Sequence, residues 1–247
     1  MSAETYPDVK TYGGVHMKRR SDVVLAALTG LSAVLVMVAL YLALVGAPEA
    51  NLQSETGRYA QRIIYFHIAT AWVGFLAFFV TFVAGIGYLR TGKRSWDIVA
   101  LSSGEIGTVF MLGVLVSGSI WAKPAWGVWW VWDERLTISL IQFLVYVGYL
   151  MLRSAVEDPA RRARFAAVYG IVAFVSVPIN FVAIRLWRTQ HPLMFGTEEG
   201  GLGPNMMFAF MFCLITFTVW YITLMGHRIR LERLRDDVEH LKERLAG

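Results

Sequence analysis

Long apolar runs separated by short polar segments dominate the sequence. A helix of about 20 apolar residues crosses a hydrocarbon core about 30 Å thick. Backbone polar groups in lipid must be satisfied within the chain, so each run is expected to be helical. The pattern predicts an all-α integral membrane protein, a bundle of six transmembrane helices. The six runs are 23–45, 63–89, 98–121, 136–152, 165–186 and 205–226.

The polar segments are too short to fold as separate domains, so the chain divides around one membrane domain, 23–226. An N-terminal tail, 1–22, precedes it, and a highly charged C-terminal tail, 227–247, follows it. In this tail, apolar residues recur at alternating spacings of three and four, as in a coiled-coil seam. We expect the last helix to extend through the tail, which either rests on the bilayer or on its own bundle, or contacts a partner. The seam positions are Leu231, Leu234, Val238, Leu241 and Leu245.

The uneven distribution of basic residues predicts the orientation of the bundle, since Lys and Arg concentrate in cytoplasmic segments. With both termini cytoplasmic, four inner segments hold 17 of the 23 basic residues. Topology therefore accounts for the net charge of +5, and no feature of the sequence indicates nucleic-acid binding. The inner segments are 1–22, 90–97, 153–164 and 227–247.

Tryptophan is concentrated in the predicted outer loop 121–135, which holds five of the nine tryptophans. One or two are usual as interfacial anchors, whereas five indicate a surface for a large flat ligand. If the loop is helical, the tryptophans at 126, 129 and 130 share one face. That face would end at Asp133, which either orients the loop or caps the next helix. The five residues are Trp121, Trp126, Trp129, Trp130 and Trp132.

Two histidines are predicted on the same side as the tryptophans. His67 lies near the outer end of the second run, and His191 lies between the fifth and sixth runs, whereas the histidines at 16, 227 and 240 are on the inner side. Haem is a wide apolar plate whose iron takes axial ligands, and neutral imidazoles suit that role. Indoles offer it a large flat contact area. The residues predict haem held between His67 and His191, against the tryptophans.

Haem propionates require cationic partners, and a guanidinium group binds a carboxylate through paired hydrogen bonds. An arginine at the outer membrane surface could serve in this way, or it could instead extend its side chain towards the lipid headgroups. The outer candidates, which the sequence does not rank, are Arg62, Arg135, Arg185 and Arg188.

A few other residues within the runs affect the interpretation. Glu105 and Asn180 are the notable polar residues there; each is either a candidate for function or simply hydrogen-bonds to neighbouring helices, and the sequence assigns no chemistry to them. Pro178 predicts a kink in the fifth run. The small residues of 102–119 predict that the third helix is central. Cys213 is the single cysteine, which excludes an intramolecular disulfide and a CxxC redox pair.

The segment WGVWWVWDERLT resembles the tryptophan-rich WWD signature of haem-handling membrane proteins in cytochrome c biogenesis. With one histidine before it (QRIIYFH) and one after it (WRTQHP), the region 58–226 is similar to the haem exporter protein C family. The resemblance implies a bacterial inner-membrane protein that holds haem b in transit at the outer, periplasmic face. His67 and His191 would ligate the iron, and the five tryptophans and Asp133 would surround the porphyrin.

The same resemblance implies an assembly in which this chain catalyses no bond change. Its expected partners are an ABC-type ATPase subunit, a permease partner, a small one-span subunit and a periplasmic haem chaperone that receives the haem. The absence of a nucleotide-binding loop in the sequence agrees with an ATPase on another chain.

Two other functions remain open at this point. The first is an electron-transfer subunit with a haem between its helices, although such a site normally needs histidine pairs deep within the spans. The second is a permease or scaffold whose tryptophan loop docks a protein rather than a porphyrin.

Overall fold

The computed structural model describes residues 11–47, 60–186 and 204–246. In these ranges the chain is almost entirely helical and contains no strand. A short π-helix, Leu42–Gly46, continues the first helix. The helices are α1 Thr11–Tyr41, α2 Ile63–Thr91, α3 Arg94–Trp126, α4 Glu134–Ala155, α5 Pro159–Ala173, α6 Ser176–Leu186 and α7 Pro204–Ala246.

In the described ranges, six helical segments are long and apolar enough to cross a membrane, which confirms the predicted all-α, six-span bundle. Helices α5 and α6 together form the fifth. The fourth span, 134–155, has the lowest mean hydropathy of the six, in line with the short run seen in the sequence.

The fifth span is interrupted at residues 174–175, one turn before Pro178. A proline has no N–H, and its ring clashes with the carbonyl group four residues earlier, which here belongs to Phe174. The Phe174 carbonyl instead accepts a hydrogen bond of 2.9 Å from the Val177 N–H. The predicted kink is therefore present, and the carbonyl that Pro178 leaves unbonded is satisfied within the chain.

Helices α2 and α3 form the centre of the bundle, because between them they contact α4, α5 and α7. Glycines on α3 permit the close approach of α2 and α4 to this helix. A Cβ placed on Gly107 would lie 2.7 Å from Cε1 of Phe78 on α2, and one on Gly104 would lie 2.8 Å from Cε1 of Tyr149 on α4. The small residues of the third run thus mark a central helix, as the sequence predicts.

We call the end of the bundle that carries residues 127–133 the tryptophan end and the opposite end, with the turns after α2 and α4, the basic end. At the basic end, buried Arg153 donates two hydrogen bonds to buried Asp97, of 2.7 and 3.1 Å. Arg94 also pairs with Asp97 and donates two bonds of 3.0 Å to Asp236 on α7. Glu105 pairs with Arg228. These ion pairs join α3, α4 and α7.

The ion pairs hold α7 by its polar face and leave its apolar seam uncovered. The helix continues without a break to Ala246, as predicted for the C-terminal tail. All five seam residues, from Leu231 to Leu245, are exposed, and Leu245 is 87% exposed. The tail therefore contacts its own bundle, but through Arg228, Glu232 and Asp236 rather than through the leucines.

Candidate functional site

A cavity opens at the tryptophan end between α2, α3, α4 and α6. It encloses about 860 Å³ of non-protein space, including its open mouth. Apolar side chains dominate its lining. The lining includes Gln61, His67, Phe75, Met111, Gly118, Trp121, Trp126, Trp130, Arg135, Ser139 and Asn180.

His67 lies in the second turn of α2, with its imidazole against α3. Its Nδ1 lies 2.9 Å from Oγ of Ser117. A Cβ placed on Gly118 would lie 3.2 Å from Cε1 of the ring, so the absence of a side chain there makes room for the imidazole. The cavity continues past His67 to Phe75, about 12 Å further along α2 at 1.5 Å per residue.

The tryptophan segment is not one helix. Helix α3 runs through Trp126 and ends because Gly127 adopts a left-handed conformation with φ of 78°, its N–H bonded to the Lys123 carbonyl. Glycine takes this conformation without steric cost. Helix α4 then begins after Asp133, whose side chain accepts a hydrogen bond of 2.8 Å from the Leu136 N–H. Only residues 127–133 form the loop.

This geometry corrects the conditional prediction of a helical aromatic face. Residues at 126, 129, 130 and 133 do not form one row, because the left-handed glycine separates the first of them from the others. Of the two roles considered for Asp133, the structure shows the helix cap. This role is consistent with the preference of aspartate for helix N-termini.

The five tryptophans separate into two groups. Trp121, Trp126 and Trp130 line the cavity, and the rings of Trp121 and Trp126 meet edge to face with centroids 5.1 Å apart. Trp129 and Trp132 are 58% and 76% exposed and are not among the lining residues. The ring of Trp132 lies edge-on to that of Trp130, at 5.7 Å.

Two polar groups in the cavity suit an anionic ligand. Arg135 lines it from the first turn of α4, and a guanidinium group can bind a carboxylate through paired hydrogen bonds. The indole Nε1–H of Trp130 is buried and has no hydrogen-bond partner among the described residues. A buried unpaired donor costs free energy, and a ligand carboxylate would satisfy it.

The other predicted residues lie elsewhere. Arg62 precedes α2 and donates a hydrogen bond to the Leu44 carbonyl in the π-helix that continues α1, and it is not among the lining residues. Arg185 falls within α6. His191 and Arg188 lie outside the described residues. Of the histidines predicted on the inner side, His227 bonds to Thr29 at 2.8 Å and His240 is exposed, both far along α7 from the cavity.

Several residues that line the cavity or contact His67 carried no signal of a site in the sequence. Ser117 and Gly118 belong to the small-residue stripe of α3, which indicates helix packing and nothing more. Asn180, noted only as a polar residue in a span, lies at the cavity and donates to Ser139 at 3.0 Å and to Gln142 at 2.8 Å. Phe75 and Met111 are ordinary apolar residues that became part of the site through packing.

The arrangement fits a large flat apolar ligand with a metal centre and acidic groups. An imidazole faces an apolar cavity, three indoles supply flat surface, and a guanidinium with an unpaired indole N–H supplies donors for carboxylates. These are the parts that a haem requires.

Comparison with known proteins agrees with this description. The sequence profile of the family described as "Heme exporter protein C" matches residues 12–244. The chain is 33% identical to Heme exporter protein C of Bradyrhizobium diazoefficiens over 221 residues, which cover 89% of this chain and 82% of that protein. It is 30% identical to Heme exporter protein C of Escherichia coli K12 over 185 residues, or 73% of this chain and 75% of that protein. The chain therefore belongs to the Heme exporter protein C family.

Proposed function

We propose that this protein binds haem b as cargo in the cavity at the tryptophan end and presents it to a haem chaperone for c-type cytochrome biogenesis. The observation that carries the proposal is the convergence of His67, three indoles and Arg135 on one apolar cavity. Family membership supports it independently, since the matching relatives are named as haem exporters.

In this proposal each residue has one task. His67 is one axial ligand of the iron and His191 is the other. Trp121, Trp126 and Trp130 contact the porphyrin, while Arg135 and the Trp130 indole N–H bind propionates. Arg135 ranks above Arg62 because it lines the cavity, whereas Arg62 donates to a backbone carbonyl. Asp133 acts indirectly, because it caps α4 and so fixes the helix turn that carries Arg135.

We further propose that the tryptophan end faces the periplasm and that the basic end faces the cytoplasm of a bacterial inner membrane. The concentration of basic residues at the other end supports this orientation. An ABC-type ATPase and its permease would then meet the chain from the cytoplasmic side and within the membrane, together with a small one-span subunit. The chaperone would approach the tryptophan end.

The test is the absorption spectrum of purified protein titrated with haemin in detergent. Wild type is expected to give a low-spin bis-imidazole spectrum, and His67→Ala and His191→Ala are each expected to abolish it. His240→Ala is the matched control, because this histidine is exposed near the C-terminal end of α7. A spectrum that persists in the His67→Ala, His191→Ala double variant would overturn the proposal.

Orientation has its own test, which uses two exposed positions at opposite ends. The native Cys213 is buried, so it should not react with the reagent, and labelling would report on the introduced cysteine. In intact cells with a permeabilised outer membrane, a membrane-impermeant thiol reagent should label Trp132→Cys and not Leu245→Cys. The reverse pattern would contradict the proposed orientation.

One observation favours a second role for the same loop. Trp129 and Trp132 are largely exposed beside the cavity, and tryptophan is enriched among the residues that dominate protein interfaces. Docking of a protein by this loop is therefore compatible with haem binding, because the exposed tryptophans would contact the protein and the cavity-lining tryptophans would contact the haem. The exposed pair is suited to contact the chaperone at the mouth of the haem site.

A further inference from the structure

The contact between His67 and α3 determines which nitrogen of the ring carries hydrogen. Oγ of Ser117 lies 2.6 Å from the carbonyl oxygen of Gly113, which can only accept a hydrogen bond. A serine hydroxyl has one hydrogen to donate. We assign that hydrogen to the shorter contact, with the carbonyl, which leaves Oγ to accept from its other close neighbour, Nδ1 of His67 at 2.9 Å.

The chemical consequence concerns the opposite side of the ring. A neutral imidazole has one N–H and one nitrogen with an in-plane lone pair. With hydrogen on Nδ1, the lone pair is on Nε2, which is the form that coordinates a metal through Nε2. In metal sites the ligand imidazole generally donates its second N–H to a neighbouring acceptor, which fixes its tautomer and orientation and raises its basicity.

A second contact restricts where the ring can lie. The Cβ of any residue larger than glycine at position 118 would lie 3.2 Å from Cε1 of His67, closer than ordinary van der Waals contact. The same Cβ would lie 3.8 Å from Nδ1, so a methyl group there would press on the Nδ1–Cε1 edge of the ring. Ser117 therefore holds this edge of the imidazole through Nδ1, and Gly118 leaves room for it against α3.

We propose that Ser117 and Gly118 form a positioning pair that fixes His67 as its Nδ1–H tautomer and presents Nε2 to the iron of the cargo. The inference rests on the proposed haem-binding function and adds to it the carbonyl–hydroxyl–imidazole relay Gly113–Ser117–His67. Ser117 is not among the lining residues and acts through His67, whereas Gly118 lines the cavity and also leaves room for the ring.

The first test is a measurement on the protein without haem. In protein labelled with ¹⁵N-histidine, long-range ¹H–¹⁵N couplings identify the protonated ring nitrogen, and loss of signals in His67→Gln assigns the ring. The Nδ1–H form is expected for wild type and Ser117→Thr, which keep the hydroxyl. Ser117→Ala should shift the ring towards a mixture. A wild-type ring protonated at Nε2 would overturn the proposal, whether or not haem binds.

The second test compares haem affinity and reduction potential. Ser117→Ala is expected to weaken haem binding by about 10- to 100-fold, the usual effect of removing an outer partner of a metal ligand. The potential of the bound haem should become more positive, because a less basic imidazole stabilises ferric iron less. A purely structural role of Ser117 would not change the potential.

The controls separate the relay from general effects on α3. Ser119→Ala removes a hydroxyl two residues away that donates to the Leu115 carbonyl of its own helix, and it is expected to leave affinity and potential unchanged. Ser117→Thr should restore both, and Gly118→Ala should weaken binding while retaining the Nδ1–H tautomer. Wild-type affinity and potential in Ser117→Ala would refute the proposal. Failure of wild type itself to bind haem would instead refute the proposed function.

Discussion

Replacing Arg153 by methionine tests the ion pairs at the basic end. Arg153 and Asp97 are 6% and 2% exposed and share two hydrogen bonds, of 2.7 and 3.1 Å. Methionine fills much of the same volume but leaves the Asp97 carboxylate buried without its main partner. Breaking a buried pair in this way costs about 3–5 kcal/mol. Because Arg94 also pairs with Asp97, we expect the lower end, about 3 kcal/mol of unfolding free energy.

The assay is reversible unfolding in mixed micelles by increasing SDS, followed by circular dichroism. The double variant Asp97→Asn, Arg153→Met should recover most of the loss, because replacing both members of a buried pair is often neutral. Arg161→Met is the control: this side chain is 78% exposed and lies 4.0 Å from Asp158, so its loss should cost less than about 1 kcal/mol. The reasoning is refuted if Arg153→Met and the double variant lose the same free energy.

Two further substitutions test packing and the site. Gly104→Ala should destabilise the bundle by about 1–3 kcal/mol in the same assay, because its Cβ would lie 2.8 Å from fully buried Tyr149. The control Gly30→Ala meets no atom within 4 Å and should cost nothing. Equal stabilities of the two variants would contradict this account of the α3–α4 contact. Trp130→Ala should weaken haem binding at least about tenfold, since an aromatic contact worth about 0.5–1.5 kcal/mol is lost together with apolar contact area and a propionate donor. Trp132→Ala should change haem binding by less than about twofold, because the ring is mostly exposed. Both variants are measured by haemin titration. Similar losses of affinity would show that Trp130 and Trp132 do not belong to separate cavity-lining and exposed groups.

The membrane spans could be predicted from the sequence because the bilayer imposes both their conformation and their length. The second run, 63–89, corresponds to Ile63–Thr91, and the fifth is interrupted next to Pro178. The positions of the helix ends were harder to predict from the sequence. Helix α3 continues to Trp126, five residues beyond its apolar run, because its last turns hold polar and aromatic residues and are ended by Gly127 rather than by a change in hydropathy.

Of the site, only the unusual residue types could be predicted from the sequence. Tryptophan density and His67 mark it in the sequence. The spacing placed Trp126, Trp129 and Trp130 on one face only if the loop is helical, and the left-handed Gly127 prevents such a helix. The relay to His67 joins residues separated by 50 positions, and no local pattern links them. Likewise, the choice between Arg62 and Arg135 depends on which side chain turns towards the cavity, a property set by tertiary packing.

The floor of the cavity limits the routes by which haem can reach it. Below Phe75 and Met111, α2 and α3 come together at Phe78 and Gly107, so closely that a Cβ on the glycine would lie 2.7 Å from the phenyl ring. Phe78 is fully buried within the core shared by α2, α3, α4 and α5. Interiors packed at this density do not open by small continuous shifts. A haem crossing between α2 and α3 from the basic end would have to separate the two central helices, whereas entry at the tryptophan end leaves this contact intact.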